Sequence, residues 1–330
     1  MDKKRVCTFL AAGVLCLLAA VLSLSLGAAR LPAAEVWQAV LAGPRDTAGY
    51  IFWYVRLPRT AACLLAGAAL AVSGAVIQGV LNNQLASPGI IGVNAGAGLA
   101  VTVCCALGIT SSWSVARAAF AGALAAVFLV MFIARKAGAS RTTMILSGVA
   151  VNAVLNALAE AVTTLVPETG MLSGDFRVGG FSAVSHPRLI PAGVLIVIGL
   201  IAVLTLCNDL DVLALGEETA RGLGMGVKRT RTVMLILAAL LAGSAVSFAG
   251  LLGFVGLIVP HAVRKMAGSE SRHVLPLCAL GGAGFVTLCD LACRVLFAPY
   301  ELPVGIGMSV LGGPVFLAVL LKQKGGKRLG

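Results

Sequence analysis

The segment TTMILSGVAVNAVLNALAEAVTTL, residues 142–165, gathers the polar groups best spaced to act together. Asn152, Asn156 and Glu160 recur at intervals of four, so they fall on one helical stripe with Thr163 close beside it. The surrounding residues are apolar enough to cross a bilayer, where a charge at the centre costs about 2.5–3.5 kcal/mol. Such groups therefore face protein or a water-filled cavity. The stripe is expected to line a translocation path; the competing reading is hydrogen bonding between helices, which amides also do. Asp290 and Arg294, also four apart, are set either for an intrahelical ion pair or for work in a span.

Catalytic machinery is not evident. GLGMGVKRT has glycines and a lysine but lacks the G-K-[ST] spacing of a phosphate-binding loop. No HExxH or GxSxG occurs, and the nine cysteines include no C-x-x-C pair. They read as small apolar packing residues. The three histidines, His186, His261 and His273, stand apart and read as structural. We therefore expect no catalytic residue, no metal site and no cofactor; if ATP is used, another chain must hydrolyse it.

The elements that must position these groups follow from composition. Mean hydropathy is +1.00. Hydrophobic residues make up 59% of the chain and charged ones 12%, with 40 glycines. A soluble enzyme carries about twice that charge, whereas small residues let membrane helices approach closely. A span needs about 20 apolar residues, and ten segments qualify: Val6–Leu26, Thr60–Val80, Ile90–Leu107, Ala116–Ala134, Thr143–Val166, Leu189–Cys207, Thr232–Phe248, Leu251–Met266, Val274–Phe297 and Val304–Leu321. Pro260 and the glycines at 253 and 256 should break or shorten the eighth. The first resembles a secretory signal, but its apolar run is too long for one and reads as an uncleaved span. The expectation is one all-α polytopic membrane domain over residues 1–330.

The net charge of +12 is sorted along the chain. With ten spans, alternate loops hold 17 of the 25 basic residues and all eight lysines, in 1–5, 135–141, 221–231, 264–272 and 322–328. That bias places both termini and these loops in the cytoplasm, and makes the basic balance a matter of topology rather than nucleic-acid binding. The longest external segments are Ala28–Pro58 and Pro167–Pro187. LLAGAALAVSG (64–74) and LLAGSAVSFAG (240–250) echo one another with opposite expected direction, as in an inverted repeat, although short glycine-rich matches also arise by chance. Two inner loops, LNNQLASPG (81–89) and GASRTTM (138–144), break helices where a closing gate would belong, or are simply turns.

Four long segments resemble the FecCD-type permeases, membrane subunits of importers for iron–siderophore complexes, haem and cobalamin. They are RLPRTAACLLAGAALAVSGAVIQGVLNNQLASPGIIGVNAGA (56–97), LGEETARGLGMGVKRTR (215–231), GFVGLIVPHAVRKMAGSESRHVLPL (253–277) and APYELPVGIGMSVLGGPVFL (298–317). The resemblance implies the type II ABC importer permease fold with ten transmembrane helices per subunit, a homodimer with the path at its interface, two ATPase subunits inside and a substrate-binding protein outside. It further implies that Gly216, Glu217, Glu218, Thr219, Ala220, Arg221, Gly222, Leu223 and Gly224 form the short helices coupling to the ATPase. Acids at the helix start and Arg221 a turn later fit that local structure. Asn83, Gln84, Leu85, Thr142 and Thr143 would form the cytoplasmic gate. Arg56, Arg59 and Arg294 would dock acidic residues of the binding protein, with Arg56 and Arg59 held toward the aqueous face by Pro58, or would simply mark the membrane boundary.

The chain departs from the family in reading NQL at 83–85 where N-P-L is frequent, which suggests a softer gate turn. It also has Arg177 and His186 in a stretch that usually carries tryptophans. The expected function is import of a metal chelate, ferric siderophore foremost, by alternating access across the cytoplasmic membrane. Cobalamin or haem import is the alternative within the family, and a secondary transporter using Glu160 the alternative outside it.

Overall fold

The computed structural model describes residues 3–326 apart from 30 and 139. Among the described residues there is no strand. The helices are α1 (Lys3–Ser25), α2 (Ala33–Ala42), α3 (Thr47–Tyr50), α4 (Leu57–Leu81), α5 (Val93–Ala106), α6 (Ser112–Lys136), α7 (Arg141–Leu165) and α8 (Glu168–Val178), followed by α9 (His186–Thr205), α10 (Cys207–Ala214), α11 (Glu217–Gly222), α12 (Val227–Ala249), α13 (Val255–Ala267), α14 (Ser271–Val295) and α15 (Val304–Gly326). A π-helical turn, Ile51–Arg56, joins α3 to α4 without a break.

Each of the ten expected segments lies on one helix: α1, α4, α5, α6, α7, α9, α12, α13, α14 and α15. Six spans are individually long and apolar enough to cross a bilayer, and α9 with α10, bent by 58° at their junction, makes a seventh. Of the others, α5 has 14 residues and α13 has 13. The external segments are not plain loops, since they fold into α2, α3 and α8.

Helix α4 is the hub. It is buried along nearly its whole length and packs on α14, α12, α13 and α9. Glycine makes this possible. A Cβ added to Gly67 would lie 2.2 Å from the Gly282 carbonyl oxygen of α14, and one on Gly74 would lie 2.1 Å from the Gly256 oxygen of α13. Backbones therefore touch where a side chain would separate them, as membrane helices require. The two copies of the LLAG echo serve differently: Gly74 sits inside α4, whereas Gly250 ends α12 with φ of +70°. On the periphery, Leu17, Phe128, Phe132, Val154 and Ile198 present their apolar side chains outward, which suits contact with lipid or another subunit.

The eighth segment is shortened as expected, beside Gly253 rather than at Pro260. The chain is extended before Val255, with Phe254 at φ +64°, and Pro260 lies inside α13 without ending it. Proline has no N–H to give the carbonyl four residues earlier, which is that of Gly256. Gln78 on α4 supplies the missing donor, its Nε2 bonding the Gly256 oxygen at 3.0 Å. Arg264 holds the same glutamine through its side-chain oxygen and bonds the Ala75 carbonyl at 3.2 Å. All nine cysteines are unpaired, and five of them are buried as packing residues.

Filling the Gly67–Gly282 contact should separate α4 from α14. Gly67→Val is expected to lower stability by at least about 1–3 kcal/mol, the usual range for overpacking. Gly13→Val on α1, where nothing lies within 4 Å, should be nearly neutral. Thermal unfolding in mild detergent checks both.

Candidate functional site: a coupling segment and a buried arginine cluster

The charged stretch after α10 folds into a compact turn–helix–turn. Gly216 (φ +113°) and Gly224 (φ +81°) bracket it in conformations that side chains resist. Between them α11 starts on Glu217 and Glu218, where the helix dipole favours acids. Glu217 accepts from Arg221 one turn on, at 2.5 Å, and from Arg231 on α12, at 3.2 Å. The Arg231 hydrogen bond, with the further charges of Arg231, Arg221 and Arg141, holds the Glu217 carboxyl below the usual glutamate range. Ala220 is fully buried beneath the helix, while Leu215, Glu218, Thr219, Arg221 and Leu223 are exposed.

The neighbouring elements tie this segment to the spans. Arg141, first residue of α7, donates to the Leu213 carbonyl of α10 at 3.0 Å. Asp211 on α10 accepts from the Ser271 N–H at 2.9 Å and so satisfies the first turn of α14. The α10–α11 unit thus reaches α7, α12 and α14 through one polar contact each.

Arg56, Arg59 and Arg294 are brought together, yet not on an aqueous face. They are 3, 5 and 2% exposed. The expectation that Pro58 holds them toward water is corrected, for a physical reason: each finds internal partners. Arg59 bonds both oxygens of Asp290, at 3.0 to 3.3 Å, and Glu301 Oε2 at 2.6 Å. Arg294 pairs with Asp290 at 2.9 Å, the i,i+4 ion pair, and donates to Ser23 Oγ at 2.8 Å. Arg56 donates to the carbonyls of Leu24, Ser25 and Ala29 at 2.7–2.9 Å, closing the otherwise unsatisfied end of α1. Sequence alone pointed to Asp290 through its spacing to Arg294; nothing local pointed to Glu301 or Ser23.

Along α7 the stripe divides. The Asn152 amide nitrogen donates to the carbonyls of Gly89 and Ile90 at 2.8 and 3.2 Å, so this residue bonds the turn before α5 rather than another helix. Asn156 and Glu160 are exposed on the chain, and Thr163 is half-buried with its hydroxyl on the Ala159 carbonyl.

At the gate loops, Asn82 ends α4 in the left-handed conformation (φ +47°) and the Asn83 side chain accepts from Leu85 N–H at 2.9 Å. That local bond firms a turn expected to be soft without proline. Gln84 is exposed, and Leu85 is half-buried. Thr142 and Thr143 begin α7, where Ser140 caps the Thr143 N–H at 3.0 Å. His186, flagged as a departure, donates to the Trp53 carbonyl at 2.8 Å and is structural.

An all-helical bundle with kinked and shortened spans around a buried hub, and one charged turn–helix–turn braced against three of them, is the membrane subunit of a transporter of the type II ABC importer class. The chain belongs to the FecCD transport family, which it matches over residues 15–322. It is 37% identical over 335 residues to the vitamin B12 import system permease protein BtuC of Escherichia coli O127:H6, spanning 97% of each chain. It is 35% identical over 323 residues to the Fe(3+)-citrate import system permease protein YfmD of Bacillus subtilis, spanning 98% of this chain and 97% of that one. Its structure superposes with a TM-score of 0.85 on a metal-chelate type ABC transporter in an inward-facing conformation, at 27% identity over 95% of this chain and 98% of that one.

Two outcomes follow. Asp290→Asn removes the shared counter-charge of two buried arginines and should cost about 3–5 kcal/mol. Replacing Arg59, Asp290 and Arg294 together by leucine should recover part of that loss, and wild-type unfolding of Asp290→Asn would contradict the assignment. Because the Glu217 pKa is lowered on folding, its contribution is fully present above the ordinary glutamate range. It is lost as pH falls through the lowered value. Hydrogen exchange of amides 217–223 should accelerate on acidification relative to the α4 core beyond the intrinsic pH effect, and Glu217→Gln should remove that dependence.

Proposed function

We propose that the chain is the permease subunit of an ATP-driven metal-chelate importer, working as a homodimer with two ATPase subunits and an external binding protein, in a cytoplasmic membrane with both termini inside. The observation that carries this is the braced α11 segment. It has an exposed acid, an exposed base and exposed Leu215 and Leu223 at its surface, with Glu217 fixed to Arg231 beneath. A helix offered this way suits a protein cleft, and its own contact with α12, with those of the adjoining α10 to α7 and α14, gives a route for displacement. ATP binding and hydrolysis elsewhere would move α11, and the spans would follow, as alternating access requires.

A ferric chelate, siderophore foremost, is the substrate we favour; cobalamin or haem is the alternative. Relatives named for ferric citrate and for vitamin B12 stand at 35 and 37% identity, so overall likeness does not separate them. In this reading Asn156, Glu160 and Thr163 line the path against a second copy, with Asn152 shaping the α5 approach. Asn83–Leu85 and Thr142–Thr143 close its inner end. Docking of a binding protein would reach Arg59 by displacing the half-exposed Glu301, while Arg56 and Arg294 hold the frame beneath. A secondary transporter using Glu160 is the alternative outside the family, and the match to the FecCD transport family over residues 15–322 weighs against it.

Glu218→Lys and Arg221→Glu should leave the permease inserted and monodisperse while weakening ATPase association roughly five- to thirty-fold, equivalent to about 1–2 kcal/mol. Copurification of the ATPase at wild-type yield with both variants would overturn the coupling role.

A further inference from the structure

A cleft between α6, α7 and α12 has been given no role so far. Its volume is about 570 Å³, and it is lined by Met131 and Arg135 of α6, Met144 of α7, and Lys228, Arg229, Arg231, Thr232, Val233 and Leu235 of α12. We propose that this cleft binds the phosphate headgroup of an anionic phospholipid, with the glycerol and first methylenes of its chains lying on the apolar floor.

The lining has two chemistries on two sides. Met131, Met144 and Leu235 are 5, 5 and 1% exposed and form a dry floor. The rim carries the exposed bases Arg135, Lys228 and Arg229, no acid lines it, and the fourth base, Arg231, is buried and paired with Glu217. Arg135 bonds Thr232 Oγ1 at 2.9 Å, joining α6 to α12 across the rim, so that guanidinium is held in place. A soluble anion would gain nothing from the apolar floor, and a neutral hydrocarbon would gain nothing from the bases. An amphiphile with an acidic head uses both.

The surroundings indicate where its chains would run. Phe132 and Val233 stand beside the cleft with 58 and 38% of their surface exposed, on helices whose outward faces are apolar. The Lys136 ammonium lies 5.3 Å from the centre of the Phe132 ring, marking the level where hydrocarbon gives way to headgroups. At about 30 Å³ per water-sized group, the cleft holds a headgroup and its first carbons, leaving the acyl chains on the α6 surface. Basic clefts between spans at this depth attract anionic headgroups. Arg231 lines the cleft and also holds Glu217 of α11, so the bound lipid would adjoin the coupling segment.

Lipid retention on the full-length permease, purified in mild detergent with equimolar phosphatidylglycerol and phosphatidylcholine and read by native mass spectrometry, tests the proposal. The wild type should retain phosphatidylglycerol at least about fivefold over phosphatidylcholine. Arg135→Gln with Arg229→Gln should abolish that preference. Val233→Trp keeps all four bases but fills the cleft, and should also lose phosphatidylglycerol. It decides the matter by itself if the double variant fails to fold. Equal retention of the two lipids, or phosphatidylglycerol retention unchanged in Val233→Trp, would overturn the site. Displacement of the lipid by millimolar inorganic phosphate as effective as by added phosphatidylglycerol would make it a soluble-phosphate site and equally overturn it.

Discussion

The hydrogen bond from Gln78 to the Gly256 carbonyl shows the constraint on which this structure depends. Inside a bilayer no water is at hand to satisfy a freed backbone group, and an unpaired one costs several kcal/mol. Pro260 frees the Gly256 carbonyl in the first turn of α13, and α4 answers it with a side chain at 3.0 Å. That answer requires α4 and α13 to lie backbone against backbone, which Gly74 permits. Proline and glycine, which weaken an isolated helix, therefore act here with glutamine as one device joining two helices.

The same rule governs the charges. Three arginines and two acids, with Ser23, gather at the start of α4 and the end of α14, and each buried guanidinium is met by a carboxylate, hydroxyl or carbonyl. At its other end α14 begins on Ser271, whose N–H is held by Asp211. A single 25-residue helix, about 37 Å long at the usual rise, thus links the arginine cluster to the unit carrying α11. In the proposed mechanism, displacement at α11 would have a stiff element through which to reach the far end of the bundle.

Much of this was legible in the sequence where the signal is local. Ten apolar runs became ten helices because hydropathy over a span-length window has no soluble competitor. Asp290–Arg294 and Glu217–Arg221 followed from i,i+4 spacing. What escaped was non-local. Arg59 lies 231 residues from Asp290, and neither its burial nor its partner leaves a mark on its neighbours; it read as a residue held toward the aqueous face until the fold closed over it. Asn152 kept the stripe spacing of Asn156 and Glu160 but turned to carbonyls of the chain before α5, which only tertiary packing reveals. Pro260 read as a helix breaker because its rescuer, Gln78, sits on another helix.

Transport itself tests the central claim most directly. The permease would be reconstituted in liposomes with its partner ATPase subunits and binding protein, and uptake of a ferric siderophore or cobalamin followed with ATP on the α11 side. Accumulation that requires ATP hydrolysis and persists when the proton gradient is collapsed is the result predicted. Accumulation driven by a proton gradient without ATP, and abolished by Glu160→Gln, would contradict the account.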